Sequence, residues 1–242
     1  MRSRATCGTL GRMASARRAS ARRRIGSTLF AAALLVAVGA LVAYGLGRAE
    51  LAPLFGGRIP PVAYDAYQSA SNAAPTVTES CAVDWTVVAG IAQVESRHGR
   101  IDDDRVLTGD GDVAPPIRGR PLDGSRGTQT IVDTDDGEID GDATWDRAMG
   151  PLQFIPTTWR ELGRDGNEDG TADPDNLYDA SLTAVAHLCL REPGDYSDRG
   201  QLRRALIAYN ASGRYADDVL RWVDRYQAGP IEEILERSVD EA

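Results

Sequence analysis

The sequence predicts a mainly α-helical domain that carries one inserted loop-rich lobe and follows a single N-terminal transmembrane helix. Three observations lead to this fold class. Residues 25–47 contain no charged side chain, apolar residues recur at helical spacing in several segments of 62–228, and residues 100–148 are rich in Gly, Asp and Pro without that spacing. Helices on both sides of such a lobe favour a groove within one domain.

The N-terminal segment is first basic and then apolar. Residues 1–24 hold eight arginines, and no acidic residue precedes Arg48. A helix over residues 25–47, at about 1.5 Å per residue, would cross a hydrocarbon core of about 30 Å. Because the arginines flank its N-terminal end, we expect a cytoplasmic N-terminus and an exported remainder. A cleaved signal peptide, with full secretion of the remainder, is the alternative.

The exported part is strongly acidic. Residues 49–242 contain all 36 acidic residues but only 18 of the 27 arginines, and lysine is absent, so the formal charge is −18. The exported part therefore lacks the basic surface that nucleic-acid binding requires. Pro and Gly residues at 48–61 predict a linker after the membrane helix. Residues 229–242 predict a short helix and an acidic C-terminal tail.

Two of the three cysteines, Cys81 and Cys189, lie in the exported part, whereas Cys7 lies in the basic segment. In an oxidising compartment the exported pair would form a disulfide that closes a long loop. Two free buried thiols are the alternative.

Apolar spacing also places the individual helices. Residues 62–73 predict a short helix that ends before Pro75, and Asp84 is the predicted N-cap of a helix over 85–97. Further helices are predicted at 156–162, 180–190, 201–209 and 215–227. The lobe at 100–148 contains short apolar pairs that predict one or two short strands.

Glu95 is the acidic residue with the most informative position. It follows Ile91 by four residues and Val88 by seven, which places it at the edge of an apolar helix face. It also lies in the last turn, where the negative end of the helix dipole disfavours a carboxylate. Partial burial and the dipole both raise its pKa. A carboxyl group that stays protonated near neutral pH is what a general acid for glycosidic-bond cleavage requires.

Three ordered motifs surround this residue in the chain. They are residues 91–99 (IAQVESRHG), 148–159 (AMGPLQFIPTTW) and 208–210 (AYN). Together they resemble the lysozyme-like lytic murein transglycosylases, most closely the membrane-bound type B group. That family carries a Glu-Ser at a helix end, a Gly-x-x-Gln-Phe-x-Pro segment and an Ala-Tyr-Asn segment. The resemblance spans about residues 62–228 and implies a lysozyme-like α+β catalytic domain there.

The resemblance implies roles for individual residues. Glu95 matches the single catalytic acid/base, and Gln153 matches a glutamine that lines the sugar-binding groove. Tyr209 and Asn210 match a pair that borders the carboxylate and the acetamido group of the substrate. Thr144 stands where relatives have a serine that hydrogen-bonds the acid. The lone histidines His98 and His187 are expected to be structural.

The implied reaction is non-hydrolytic cleavage of peptidoglycan glycan strands, which leaves 1,6-anhydro-N-acetylmuramic acid ends and serves cell-wall remodelling. No organic cofactor is implied. Proteins of cell-wall synthesis or division are possible partners in addition to the glycan and the membrane. A hydrolytic muramidase on the same scaffold, and a non-catalytic peptidoglycan-binding scaffold, are the alternatives.

A second motif predicts a structural Ca²⁺ site. Residues 165–176 (DGNEDGTADPDN) place oxygen ligands at loop positions 1, 3, 5, 7 and 9 with Gly at position 6, as in an EF-hand loop. The ligands would be Asp165, Asn167, Asp169, the carbonyl of Thr171, and Asp173. Position 12 is Asn176 rather than the bidentate Glu, which predicts weaker binding or a last ligand taken from Asp175 or elsewhere. Type B relatives have a comparable calcium loop.

Overall fold

The computed structural model describes residues 58–101 and 105–235. The predicted basic segment at 1–24, the predicted transmembrane helix at 25–47 and nearly all of the linker at 48–61 lie outside these residues, as does most of the predicted tail at 229–242. In the described part of the chain no helix is long and apolar enough to cross a membrane.

Seven helices build the body of the described chain. They are α1 (Pro61–Val77), α2 (Trp85–Ser96), α3 (Pro156–Leu162), α4 (Leu177–Arg191), α5 (Arg199–Tyr209), α6 (Gly213–Ala228) and α7 (Ile231–Ile234). The main packing partners are α1 with α4 and α2 with α6, and α5 packs on both α4 and α6. The prediction of a mainly helical domain is confirmed.

Helix α1 is longer than the sequence predicts. It begins at Pro61, whose fixed φ and missing N–H suit the first turn of a helix. The prediction that the helix ends before Pro75 was wrong, because the helix continues to Val77. Ala70 and Ala74 are buried on this last stretch, and a proline so close to the end disturbs few backbone hydrogen bonds.

Helix α2 is buried along most of its length, because nine of its twelve residues are buried. Its predicted N-cap is confirmed, because the Asp84 side chain accepts a hydrogen bond from the N–H of Thr86 at 2.9 Å. Gly90 lets α6 come close, since a Cβ there would lie 3.2 Å from the Val219 carbonyl oxygen. The helix ends where Arg97 adopts a left-handed conformation (φ 54°).

A disulfide joins Cys81, just before α2, to Cys189 in α4, with the two Cα atoms 5.7 Å apart. This agrees with the predicted pairing. His98 is fully buried behind α2, where its ring nitrogens lie 2.9 Å from the Tyr67 hydroxyl and 3.1 Å from the Tyr226 hydroxyl. The expectation that His98 is structural is thereby supported.

The described residues of the lobe between α2 and α3 contain four short strands: β1 (Val106–Leu107), β2 (Val113–Ala114), β3 (Arg118–Pro121) and β4 (Arg147–Met149). They form two separate antiparallel pairs, β1 with β2 and β3 with β4. The sequence predicted one or two strands, and the difference reflects how short they are. The β3–β4 pair joins the middle of the lobe to its end, from which the chain leads back to the body.

Candidate active site

Glu95 lies in the last turn of α2 and is half-buried. Burial raises the pKa of its carboxyl group from an ordinary value of 4.5 to about 7. The Tyr215 hydroxyl, from the first turn of α6, approaches the carboxyl group and lowers this pKa. The geometry falls short of a full hydrogen bond, and the buried Tyr215 hydroxyl has no hydrogen-bond partner among the described residues. The raised pKa predicted for Glu95 is therefore reproduced, with burial as the main cause.

Ser96 ties the first motif to the second. Its hydroxyl donates a hydrogen bond to the Pro151 carbonyl oxygen at 2.6 Å and accepts one from the N–H of Gly99 at 2.7 Å. The end of α2 is thus bonded directly to the turn that carries Gln153. This contact explains why a Glu-Ser pair and a Gly-x-x-Gln-Phe segment belong to one site although they lie far apart in the sequence.

Gln153 sits at the tip of a tight turn between β4 and α3. Met149 and Phe154 exchange both backbone hydrogen bonds, at 2.8 and 3.0 Å, and close the turn. Within it Gln153 adopts a positive φ of 54°, and its side-chain amide donates to the Gly150 carbonyl oxygen at 2.8 Å. Gly150 has a φ of 69°, and a Cβ there would overlap the Pro174 carbonyl oxygen. The turn can therefore form only with glycine at this position.

Tyr209 is the last residue of α5, and Asn210 follows it as the C-cap. The Tyr209 hydroxyl donates a hydrogen bond to the Leu152 carbonyl oxygen at 3.1 Å, which links the third motif to the second. Its ring lies parallel to that of Tyr215 at 6.3 Å and packs against Phe154 at 5.7 Å. Burial, followed by the nearby Glu95 carboxylate, raises the pKa of Tyr209, so its hydroxyl stays protonated.

These residues line one cleft of about 450 Å³ between the helical body and the lobe. Glu95, Gln153, Tyr209 and Asn210 all contribute to it, as the motifs predict. Its described lining is Glu95, Leu122, Gly127, Gln129, Ile131, Ala148, Gln153, Phe154, Ile155, Thr158, His187, Ala208, Tyr209, Asn210 and Ala211. Glu95 is the only carboxylate among them. The remainder consists of amide side chains, aromatic rings, apolar side chains, a glycine and the hydroxyl-bearing Thr158.

Thr144 is placed elsewhere. It lies on the exposed surface of the lobe, where its N–H donates to the Asp142 carboxylate at 3.0 Å, and it is not among the residues that line the cleft. The structure therefore does not bring Thr144 into the cleft that holds Glu95. Asx-type turns in the lobe direct this segment outward, and the hydroxyl that approaches Glu95 comes instead from Tyr215.

Two residues of the site were missed by sequence reasoning. Tyr215 reaches Glu95 only through the packing of α6 on α2, and no motif marked it. His187 was expected to be structural, yet it lines the cleft and its ring lies edge-on to Tyr209 at 4.8 Å. Burial, followed by the charge of Arg191, lowers the pKa of His187 to about 4, so the imidazole is neutral. Spacing within one helix cannot reveal either contact. Tyr215 and Glu95 lie on different helices, and so do His187 and Tyr209.

A larger cleft of about 590 Å³ lies elsewhere, between α1, α6 and residues 195–202. Its charged side chains already have structural partners. Asp84 caps α2, Asp195 accepts hydrogen bonds from Ser197, and Arg199 pairs with Asp224 at 2.5 Å. None of the motif residues Glu95, Gln153, Tyr209 and Asn210 belongs to its described lining. The smaller cleft is therefore the candidate active site.

The predicted calcium loop leads into α4 and wraps around a carboxylate that the sequence did not single out. Asp179 is fully buried, and it accepts hydrogen bonds from the N–H groups of Gly166 at 2.7 Å and Asp173 at 2.8 Å. Burial, with a smaller contribution from Asp165, raises its pKa. Asn176, at position 12, instead caps α4 by accepting from the N–H of Tyr178 at 2.9 Å.

The other residues of the predicted calcium loop form hydrogen bonds within the loop. The Asp165 carboxylate accepts from the N–H groups of Asp169 and Gly170, and Asn167 donates from its amide to the Asp169 carboxylate at 3.0 Å. Asp173 accepts from the N–H of Asp175 at 2.8 Å. These side chains supply hard oxygen donors of the type that Ca²⁺ prefers. The predicted alternative ligand Asp175 is engaged by Arg118 at 2.8 Å.

Comparisons with known proteins add little to what the geometry of the cleft indicates. No protein-family model and no curated protein sequence matches the chain. Among solved structures, the chain is similar to the Escherichia coli lytic transglycosylase Slt35 in complex with bulgecin A, at 15% sequence identity and a TM-score of 0.42. The match covers 69% of this chain and 74% of that one. The functional assignment therefore depends on the cleft and the sequence motifs.

Proposed function

We propose that this chain is a lytic transglycosylase that cleaves the β-1,4 bond between N-acetylmuramic acid and N-acetylglucosamine in peptidoglycan. The observation that carries the proposal is the setting of Glu95, which lies half-buried in a cleft with a pKa of about 7. A group with this pKa can donate a proton and take one back at neutral pH. Glu95 can therefore serve as acid and then as base in one reaction.

The absence of a second carboxylate from the described lining of the cleft favours this chemistry over ordinary hydrolysis. Most glycosidases use two carboxyl groups, one as acid and the other as nucleophile or base. With Glu95 alone, the substrate must supply the second group. The 2-acetamido oxygen of the muramic residue can stabilise the positive charge that develops at C1.

The proposed steps are balanced as follows. Glu95 donates its proton to the glycosidic oxygen while the bond from that oxygen to C1 of the muramic residue breaks. The resulting Glu95 carboxylate takes the proton of the C6 hydroxyl on the same sugar, and the C6 oxygen bonds to C1. The products are a free 4-hydroxyl on N-acetylglucosamine and a 1,6-anhydro end, and Glu95 is protonated again.

The neighbouring residues shape and position the site. Gln153 and the exposed Asn210 offer amide groups at the cleft for hydrogen bonds with sugar hydroxyl and acetamido groups. Tyr209 uses its hydroxyl to hold the Leu152 carbonyl, so its ring forms a fixed wall. Neutral His187, which also lines the cleft, packs edge-on against that ring. We further propose that the enzyme acts outside the cell on glycan strands, anchored through the predicted helix at 25–47.

The test is mass spectrometry of fragments released from purified peptidoglycan by the full-length chain in detergent. Wild type should release fragments with 1,6-anhydromuramic ends, and Glu95→Gln should release none. Glu79→Gln is the matched control, because Glu79 is exposed and does not belong to the described lining of the cleft. The control should keep wild-type activity.

The other outcomes contradict the proposal in distinguishable ways. Glu95-dependent products with ordinary reducing ends would identify a hydrolytic muramidase. The absence of products from wild type, together with co-sedimentation of the protein with peptidoglycan, would identify a non-catalytic binding scaffold. Products that persist in Glu95→Gln would remove Glu95 from the catalytic role.

We also propose that the loop at 165–173 binds a structural Ca²⁺, supported by the oxygen donors of Asp165, Asn167 and Asp169. Ca²⁺ should raise the melting temperature of wild type, and Asp165→Ala with Asp169→Ala should reduce that gain. Glu168→Gln, which changes an exposed loop residue outside the predicted ligand positions, should retain it. An equal Ca²⁺ response in all three proteins would contradict this assignment.

A further inference from the structure

Three carboxylates come together in the lobe, apart from the loop discussed above. Asp133, Asp135 and Asp146 each place an oxygen within 4.8 Å of the others. Asp146 is fully buried and Asp135 is 4% exposed. They are brought together because residues 133–146 form a series of turns whose two ends meet: the N–H of Asp133 donates to the Thr144 carbonyl oxygen at 3.1 Å.

One oxygen of this cluster has no partner. Asp135 uses Oδ2 to accept a hydrogen bond from the N–H of Ile139 at 2.6 Å. Its Oδ1 is buried and accepts no hydrogen bond. A buried polar atom without a partner is costly, and in native proteins it usually indicates a bound ion or water. The unpartnered oxygen belongs to the same side chain that meets Asp133 and Asp146.

The cluster also lacks a neutralising cation among the described side chains. The nearby arginines pair with other acids, Arg147 with Asp142 at 2.8 Å and Arg160 with Glu138 at 3.4 Å. No salt bridge in the described ranges reaches Asp133, Asp135 or Asp146.

We propose that Asp133, Asp135 and Asp146 form a binding site for a divalent cation of the Ca²⁺ type. Oxygen donors from three carboxylates suit a hard cation, and Ca²⁺ tolerates the irregular geometry of a turn-rich lobe better than Mg²⁺ does. The cation would take the unpartnered Asp135 oxygen as a ligand and neutralise the cluster. Asp133 and Asp146 would keep the backbone hydrogen bonds that they already accept.

The site lies behind the lobe wall of the cleft. The N–H of Asp146 donates to the Ile131 carbonyl oxygen at 3.2 Å, and its carbonyl accepts from the N–H of Leu122 at 3.0 Å. Ile131 and Leu122 both line the cleft. On the far side, Arg160 of α3 donates to the Thr134 carbonyl oxygen at 2.7 Å. A bound cation would therefore hold the lobe wall in a fixed position relative to α3.

The test measures bound Ca²⁺ by equilibrium dialysis on the full-length chain in detergent. It uses the Asp165→Ala, Asp169→Ala background, so that the proposed loop site does not contribute. This background should retain bound Ca²⁺ at about the protein concentration, and adding Asp135→Asn should abolish it. Asp136→Asn is the matched control, because Asp136 is exposed, neighbours the cluster and has a left-handed conformation that Asn tolerates. It should leave binding unchanged.

Either of two results would overturn the inference: no Ca²⁺ bound in the background chain, or Ca²⁺ retained after Asp135→Asn. If Asp135→Asn does not fold, Tb³⁺ decides the question without altering a carboxylate. Trp145 directly precedes Asp146, so excitation of tryptophan should give Tb³⁺ emission that falls several-fold in Trp145→Phe. Absent emission, or emission unchanged by Trp145→Phe, would show that no such cation binds beside Asp146.

Discussion

The helical body and the lobe each bury a carboxyl group near the cleft, but the two groups have different surroundings. Glu95 in α2 lies beside Tyr209 and Tyr215, and the Tyr215 hydroxyl approaches its carboxyl group without completing a hydrogen bond. Asp146 in the lobe accepts hydrogen bonds from Thr134 and lies next to two other carboxylates. The first setting favours an exchangeable proton, whereas the second favours a bound cation.

The two regions are also stabilised differently. The body buries a continuous set of apolar side chains from α1, α2, α4, α5 and α6 and is cross-linked by the disulfide. In the described part of the lobe before β4, Val113 and Ile117 are the buried hydrophobic residues. Its turns are held instead by aspartates that accept backbone N–H bonds. Apolar burial therefore dominates in the body, and polar turn contacts dominate in the lobe.

Removal of the disulfide should give the largest loss of stability, and it should affect the body. The bond closes a separation of 108 residues, for which chain entropy predicts a contribution of about 5 kcal/mol. Cys81→Ala with Cys189→Ala should lower the free energy of unfolding by about 2–5 kcal/mol, measured by urea denaturation. A loss below about 1 kcal/mol would show that the body does not depend on the cross-link.

Gly150→Ala should break the junction between the two regions. A Cβ would overlap the Pro174 carbonyl oxygen, so the loss should reach about 3 kcal/mol or more. Gly141→Ala is the matched control in the lobe, because it also has a positive φ but no atom lies within 4 Å of its Cβ. That variant should lose about 1–2 kcal/mol from backbone strain alone. Equal losses in both variants would contradict the assigned close contact.

The burial of Glu95 should make stability depend on pH. Its pKa rises from an ordinary 4.5 to about 7 on folding, so the folded state binds the proton more tightly than the unfolded state. The stabilisation is fully present below pH 4.5 and is lost as the pH rises to about 7, by about 3 kcal/mol in total. Because His187, whose pKa is lowered to about 4, gives every variant a contribution of opposite sign, the loss is measured as a difference: wild type and Glu79→Gln should lose this stability relative to Glu95→Gln as the pH rises. A Glu95→Gln chain with the same slope would contradict it.

The smallest expected effect concerns Tyr215, the weak polar contact of Glu95. Its hydroxyl lowers the pKa of Glu95, so Tyr215→Phe should raise that pKa and move the alkaline limb of the kcat/KM profile to higher pH. Because the contact is weak, we expect a shift below about one pH unit. A shift to lower pH would show that the hydroxyl does not stabilise the carboxylate. Thr144→Val, which changes an exposed lobe residue, should leave the limb in place.

Local patterns were sufficient for much of the body. The helix bounds of α3 agree with the prediction, the Asp84 cap is confirmed, and Glu95, Gln153, Tyr209 and Asn210 do line one cleft. Spacing, caps and ordered motifs carry this information, since each depends on residues close together in the chain. The Glu95 pKa was predictable in direction for the same reason: its position on the helix face implies burial.

The sequence by itself thus determined the helices, the cysteine pair and the candidate acid, through apolar periodicity and short motifs. Tertiary structure alone decided which hydroxyl approaches Glu95, which carboxylate the loop at 165–173 encloses, and that Asp133, Asp135 and Asp146 meet. Tyr215 reaches Glu95 from another helix, and Asp179 lies beyond the twelve-residue loop pattern. The lobe has no helical or strand period to read, because turns held by side-chain hydrogen bonds set its path.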